Sequence, residues 1–227
     1  MSDVSIIPAI LPKDYTDLVS KLGIVRGTER LVQIDVCDGH FVNSVTFPFQ
    51  RGDDAYWARI VHEDEGLPLW QEFDFEVDLM VKEPAAMARD WFKAGATRII
   101  LHVGSSKDLV PLIEELAPLV EVGIAISSTA NIEELKGLIE KVAFVQVMGI
   151  ARIGFQGEAF DKRCLETISR VRALYPTLPI HVDGGVSPDT AGDLVNAGAT
   201  GLISGSFILS SVYPMAAIQE LKTAATK

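Results

Sequence analysis

His181-Val182-Asp183-Gly184-Gly185-Val186 runs directly into Ser187-Pro188-Asp189. A short apolar run ends on an aspartate, and two glycines interrupt it. Ser-Pro-Asp then opens a helix: proline sits in the first turn, where its missing N–H has no partner to lose, and aspartate lies near the positive helix end. The stretch reads as strand, tight turn and helix start.

The same cadence repeats outward in both directions. Short apolar runs occupy Val4–Ile10, Leu31–Val36, Phe73–Met80, Arg98–His102, Val122–Ile126, Ala143–Met148, Pro179–Val182 and Gly201–Ser204. They are rich in Val and Ile with few polar breaks, as strands buried on both faces are. Amphipathic stretches separate them. Glu83-Pro84 opens one over Ala85–Phe92, and Asn131, expected as an N-cap, opens another ahead of Glu133 and Glu134. Ala94-Gly95-Ala96-Thr97 and Ala197-Gly198-Ala199-Thr200 form a weak internal repeat. In each, glycine falls where a helix C-cap needs positive φ. Eight strands alternating with helices predict an α/β fold, a parallel (β/α)8 TIM barrel spanning 1–227 as one domain. The irregular segment 47–69 is expected to carry a loop and a short helix above the barrel.

The 227 residues are 48% hydrophobic and 22% charged, the balance of a soluble globular chain with a sizeable core. A net charge of −11 disfavours nucleic acid and anionic membrane as partners. Met1-Ser2-Asp3-Val4 has no basic region followed by an apolar run, and no apolar stretch reaches the roughly 18–20 residues of a membrane span. Two distant cysteines, Cys37 and Cys164, suit free thiols in a reducing, cytoplasmic setting.

Three glycine segments follow the sixth, seventh and eighth strands: Gly154-Phe155-Gln156-Gly157, Gly184-Gly185, and Gly205-Ser206. Any one of them could be a turn and nothing more. Together, on one barrel face, they suit a phosphate, which needs several backbone N–H groups converging where no Cβ intervenes. A phosphorylated small molecule is therefore the expected ligand.

Acidic residues mark the same face. Asp35 ends the second strand, Asp78 lies in the third and Asp183 ends the seventh, with Gln33 on the same side as Asp35. Buried carboxylates are costly unless paired, metal-bound or catalytic. Two carboxylates on opposite sides of a substrate suit proton removal and return at a carbon next to a carbonyl, which is epimerisation.

These motifs resemble the ribulose-phosphate 3-epimerase family. Pro8-Ala9-Ile10-Leu11 is similar to its Pro-Ser-Ile-Leu. Asp35-Val36-Cys37-Asp38-Gly39-His40-Phe41-Val42 is similar to its Asp-Val-Met-Asp-Gly-His-Phe-Val, and Asp78-Leu79-Met80-Val81 to its His-Leu-Met-Val. Gly154–Gly157 and Val182–Val186 resemble its Gly-Phe-Gly-Gly and Val-Asp-Gly-Gly-Val. The resemblance implies a ribulose-phosphate-binding barrel, an isomerase of the epimerase type in pentose phosphate metabolism, and a homo-oligomer. It implies Asp35 and Asp183 as acid and base. It implies substrate or phosphate contacts from Gly154, Gly157, Gly184, Gly185, Gly205, Ser206, Met80, Met148 and His40.

The family holds a divalent metal with its two aspartates and two histidines. Here Gln33 and Asp78 stand in the histidine positions, and His102 is an outside candidate. Ala9 replaces a substrate-contacting serine, Cys37 replaces a methionine that caps the site, and Gly149–Ile153 lacks the family's proline. A metal set of Gln33, Asp35, Asp78 and Asp183 offers only oxygen, which suits Mg²⁺, Mn²⁺ or Ca²⁺. The alternative is no metal. Three functions stay open: a sugar-phosphate epimerase, a decarboxylase or lyase on the same barrel, and a non-catalytic binder of phosphorylated ligands.

Overall fold

The computed structural model describes residues 4–226, so the reading of Met1-Ser2-Asp3 falls outside the described residues. The strands are β1 (Ser5–Ile10), β2 (Leu31–Cys37), β3 (Asp74–Met80), β4 (Ala96–His102), β5 (Glu121–Ile126), β6 (Phe144–Met148), β7 (Ile180–Asp183) and β8 (Gly201–Ser204). Every expected strand is present, with ends shifted by at most two residues. All neighbours pair in parallel, and β8 returns to β1 with Ser5 opposite Gly201 and Pro8 opposite Ser204, closing a (β/α)8 TIM barrel.

Helices form the outer layer: α1 (Tyr15–Val25), α2 (Asp54–Val61), α3 (Ala85–Lys93), α4 (Val110–Leu116), α5 (Ile132–Ile139), α6 (Cys164–Leu174), α7 (Pro188–Ala197), the short α8 (Ser206–Leu209) and α9 (Pro214–Ala224). Leu18, Leu22 and Val25 are the buried stripe of α1, spaced for one helical face. Burying each such side chain contributes roughly 1.5–3 kcal/mol. Ser187 and Thr190 form a reciprocal capping box that starts α7. Gly95 and Gly198 close α3 and α7 at φ 100° and 120°, as the repeat predicts.

Two expectations need correction. Asn131 makes no capping bond; its side-chain amide instead donates to Glu134 Oε1 at 2.7 Å, which diverts it from the backbone. Segment 47–69 does not stand above the barrel. It contains α2, which packs beside α3 in the outer ring, with Phe47 buried and Trp57 half-buried while Phe49 and Tyr56 stay exposed. Trp57 lies 4.6 Å from Trp91 of α3 between ring centroids, and Phe47, fully buried, lies 5.7 Å from Trp57.

The barrel interior is unusually polar. The Gln146 side-chain amide on β6 donates to Asp78 Oδ2 on β3 at 3.1 Å. These strands are not neighbours, so the bond crosses the axis. Glu76, Arg98 and His181 form a lower layer: Arg98 lies 3.4 Å from Glu76 Oε2, and His181 Nδ1 lies 3.9 Å from the same oxygen. Burial pushes the Glu76 carboxyl up to about 8 and the His181 imidazole down to about 3.

Candidate active site

The cleft opens at the C-terminal ends of the strands, where loop variation sets the chemistry of such barrels. Asp35 lies on the inward row of β2, two residues before its end, and Asp183 is the last residue of β7. One amide ties them together: Gln33 Nε2 donates to Asp35 Oδ1 at 2.8 Å and to Asp183 Oδ2 at 3.3 Å. Asp78 sits beside them, fully buried, and His102 Nε2 lies 2.7 Å from its Oδ1. Carboxylate oxygens of Asp35, Asp78 and Asp183 come within 4.8 Å of one another.

Burial and the Asp183 charge hold Asp35 well above the usual carboxylate range. Burial and Asp78 push Asp183 up to about 7. Two such groups cannot both ionise freely, so their ionisations are coupled.

Three acids fit a hard divalent cation by charge and donor type. Gln33 fits as well: its Oε1 is buried without a partner, and a half-turn of the amide would present that oxygen to a cation.

The glycine segments line the cleft beside the acids. Gly154, Gly157, Gly184, Gly185, Gly205 and Ser206 all face it, as do Met80 and Met148. Gly184 and Gly185 both take positive φ, at 95° and 67°, the left-handed region that favours glycine. The Ser44 hydroxyl donates to the Gly154 carbonyl and pins the β6 loop to the loop after β2.

The structure does not bring His40 to this cleft. It is exposed on the loop after β2, where its backbone N–H donates to Asp38 Oδ1 at 2.8 Å. Sequence reasoning passed over Gln146 and kept His102 only at the margin. Alternation along Phe144-Val145-Gln146-Val147-Met148 carried the signal, because it puts Gln146 on the same side as Met148.

His102→Leu is expected to destabilise the fold by about 1–3 kcal/mol, because Asp78 is left buried without its closest partner. Urea unfolding checks this, and an unchanged midpoint would show the contact to be dispensable.

A second expectation concerns pH. In the folded chain Asp183 titrates at about 7 and Glu76 at about 8. Unfolded carboxyls release their protons near pH 4, so stability falls as pH rises through the folded values. His181 acts oppositely, since its folded value is about 3, but its contribution stops changing above about pH 6.5, the free imidazole value. Metal-free protein should therefore lose about 1–3 kcal/mol between roughly pH 6.5 and 8.5. A urea midpoint that rises over this interval would contradict the buried carboxyls.

The architecture is shared widely. KGPDC from Streptococcus mutans superposes with a TM-score of 0.71 at 12% identity, covering 99% of this chain and 98% of that one. Orotidine 5'-phosphate decarboxylase from Pyrococcus horikoshii OT3 gives 0.64 at 20% identity, with 98% and 99% covered. These likenesses establish the fold class, a (β/α)8 TIM barrel.

The sequence narrows this further. The chain belongs to the ribulose-phosphate 3 epimerase family, whose model matches residues 5–209. It is 28% identical to the cytoplasmic isoform of ribulose-phosphate 3-epimerase from Oryza sativa subsp. japonica, over 96% of this chain and 92% of that protein. Ribulose-phosphate 3-epimerase from Bacillus subtilis is 27% identical over 96% and 98%, and that from Treponema pallidum 30% over 89% and 90%.

Proposed function

We propose that the chain, acting as one barrel domain over residues 1–227, epimerises a ketopentose phosphate with Asp35 and Asp183 as its acid–base pair. The observation that carries this reading is the pair itself: two carboxyls on non-adjacent barrel strands, joined through Gln33 Nε2 at 2.8 and 3.3 Å. The ionised member removes the proton from the carbon next to the carbonyl. The protonated member returns a proton to the opposite face. Reversing the reaction exchanges the two roles, which suits two groups whose affinities for a proton are both raised.

The glycine turns at Gly154, Gly157, Gly184, Gly185 and Gly205-Ser206 hold the phosphate through backbone N–H groups. Met80 and Met148 cover the reacting carbons with apolar surface and keep water away from the intermediate. Asp35, Asp78 and Asp183, with Gln33 turned to present Oε1, would hold a Mg²⁺, Mn²⁺ or Ca²⁺ ion. Such an ion would supply positive charge to the enediolate oxygens. Gln146 and His102 keep Asp78 in place through bonds at 3.1 and 2.7 Å.

Among the described residues no helix is long and apolar enough to cross a membrane. The same reading takes the protein to work in the cytoplasm as a homo-oligomer; light scattering checks the assembly.

The test is to purify the protein without chelators, measure its metal, and supply ribulose 5-phosphate. Formation of xylulose 5-phosphate, with one equivalent of Mg, Mn or Ca per chain, supports the reading. Stoichiometric zinc at these aspartates would overturn the oxygen-only donor set. Retained phosphate-ester binding without epimer would favour a decarboxylase, a lyase or a binding protein instead.

A further inference from the structure

The cleft that this reading assigns to a phosphate dianion has no cationic side chain in its lining. The nearby cation, Arg152, is committed elsewhere: it pairs with Glu158 and lies over the Phe155 ring at 4.5 Å. Neutral donors must therefore carry recognition. Backbone N–H groups supply some of them, and among the lining side chains only Gln156 offers an amide.

Gln156 is placed for that task. Its Nε2 donates to the Ala9 carbonyl at 3.3 Å, at the end of β1. An amide nitrogen carries two N–H donors, so a second remains for a ligand. The same nitrogen rests on Gly205, in one of the glycine turns. A Cβ built on Gly205 would stand 2.3 Å from it. Gly205 has φ −97°, which any residue adopts, so its backbone angle does not call for glycine. A methyl group there would displace the Gln156 amide and crowd the Ala9 carbonyl at 3.1 Å.

We propose that Gln156 is a specificity-determining residue that binds the phosphate monoester of the substrate, its carboxamide braced between Ala9 and Gly205. The proposal rests on the phosphate reading of the cleft. It makes Gly205 a seat for the amide as well as part of a turn.

The experiment titrates inorganic phosphate and glycerol 1-phosphate, which do not turn over, into wild type and the variants Gln156→Gly, Gln156→Glu and Gly205→Ala, with folding checked by circular dichroism. Loss of one hydrogen bond to a charged group should weaken binding about tenfold in Gln156→Gly. Gln156→Glu, which sets a carboxylate against the phosphate, should weaken it further. Gly205→Ala should match Gln156→Gly, and combining them should add little, because both displace the same amide. In turnover, KM should rise with kcat changed less than about threefold, the pattern of lost uniform binding.

If wild type binds the esters and both Gln156 variants bind them within twofold of it, the role of Gln156 is overturned and the phosphate site stands. If wild type binds neither probe, the phosphate reading itself fails and takes the proposal with it.

Discussion

Asp35→Asn and Asp183→Asn are each expected to lower turnover by about 10²–10⁴-fold, the range supplied by a positioned acid or base. Asparagine keeps the shape of the side chain and can still bond to Gln33. It cannot take or return a proton. The fold should survive the change, and stability should hold or rise, because burial and neighbouring acids already oppose ionisation at both sites. Loss of activity together with an unchanged or raised unfolding midpoint therefore separates a chemical role from a structural one. Full activity in both variants would remove the two aspartates from the mechanism.

Gly149→Ala is expected to damage the site through its frame. Gly149 follows β6 and fastens three pieces of chain. Its N–H donates to the Asp183 carbonyl at 2.7 Å, and its own carbonyl accepts from the Asp161 N–H at 2.8 Å. A Cβ there would lie 2.1 Å from the Gly184 carbonyl oxygen, a backbone atom that cannot rotate aside. The loop after β7 must shift, and Asp183 shifts with it. Overpacking of this kind costs about 1–3 kcal/mol of stability. A displacement of about 1 Å at a catalytic group costs about 10²-fold in rate. Thermal unfolding and kcat measured together check both parts. A variant with wild-type kcat would show that the loop absorbs the methyl group without moving Asp183.

The barrel was legible because its strands are buried on both faces and read as apolar runs, and because proline and glycine punctuate the helices between them. Ser187-Pro188-Asp189 announced the start of α7 correctly, while the Thr190 half of its capping box went unread. Asn131 shows the limit of that reasoning: the residue type suits a cap, but Glu134 competes for the same side chain. Segment 47–69 misled for a different reason. Its aromatics could cover a mouth or fill a core, and only packing against Trp91 decides between them.

In the site, Asp35, Asp183 and the glycine turns could be read from strand ends and turn chemistry. The support beneath them could not be read in full. The Gln146 bond to Asp78 joins strands far apart in sequence across the barrel interior, the His102 bond joins neighbouring strands, and no local pattern specifies which inward side chains meet. Gln156 escaped because it sits inside a glycine motif, where attention falls on the backbone. His40 was expected at the cleft because it follows Asp38-Gly39 in a motif, yet the loop turns it outward to solvent.

The central claim is proton transfer at carbon by Asp35 and Asp183. The most direct measurement incubates the protein with ribulose 5-phosphate in deuterium oxide and follows the C3 proton by NMR. The account predicts loss of that signal with formation of xylulose 5-phosphate labelled at C3. A C3 proton that persists unchanged while the phosphate ester stays bound would contradict it.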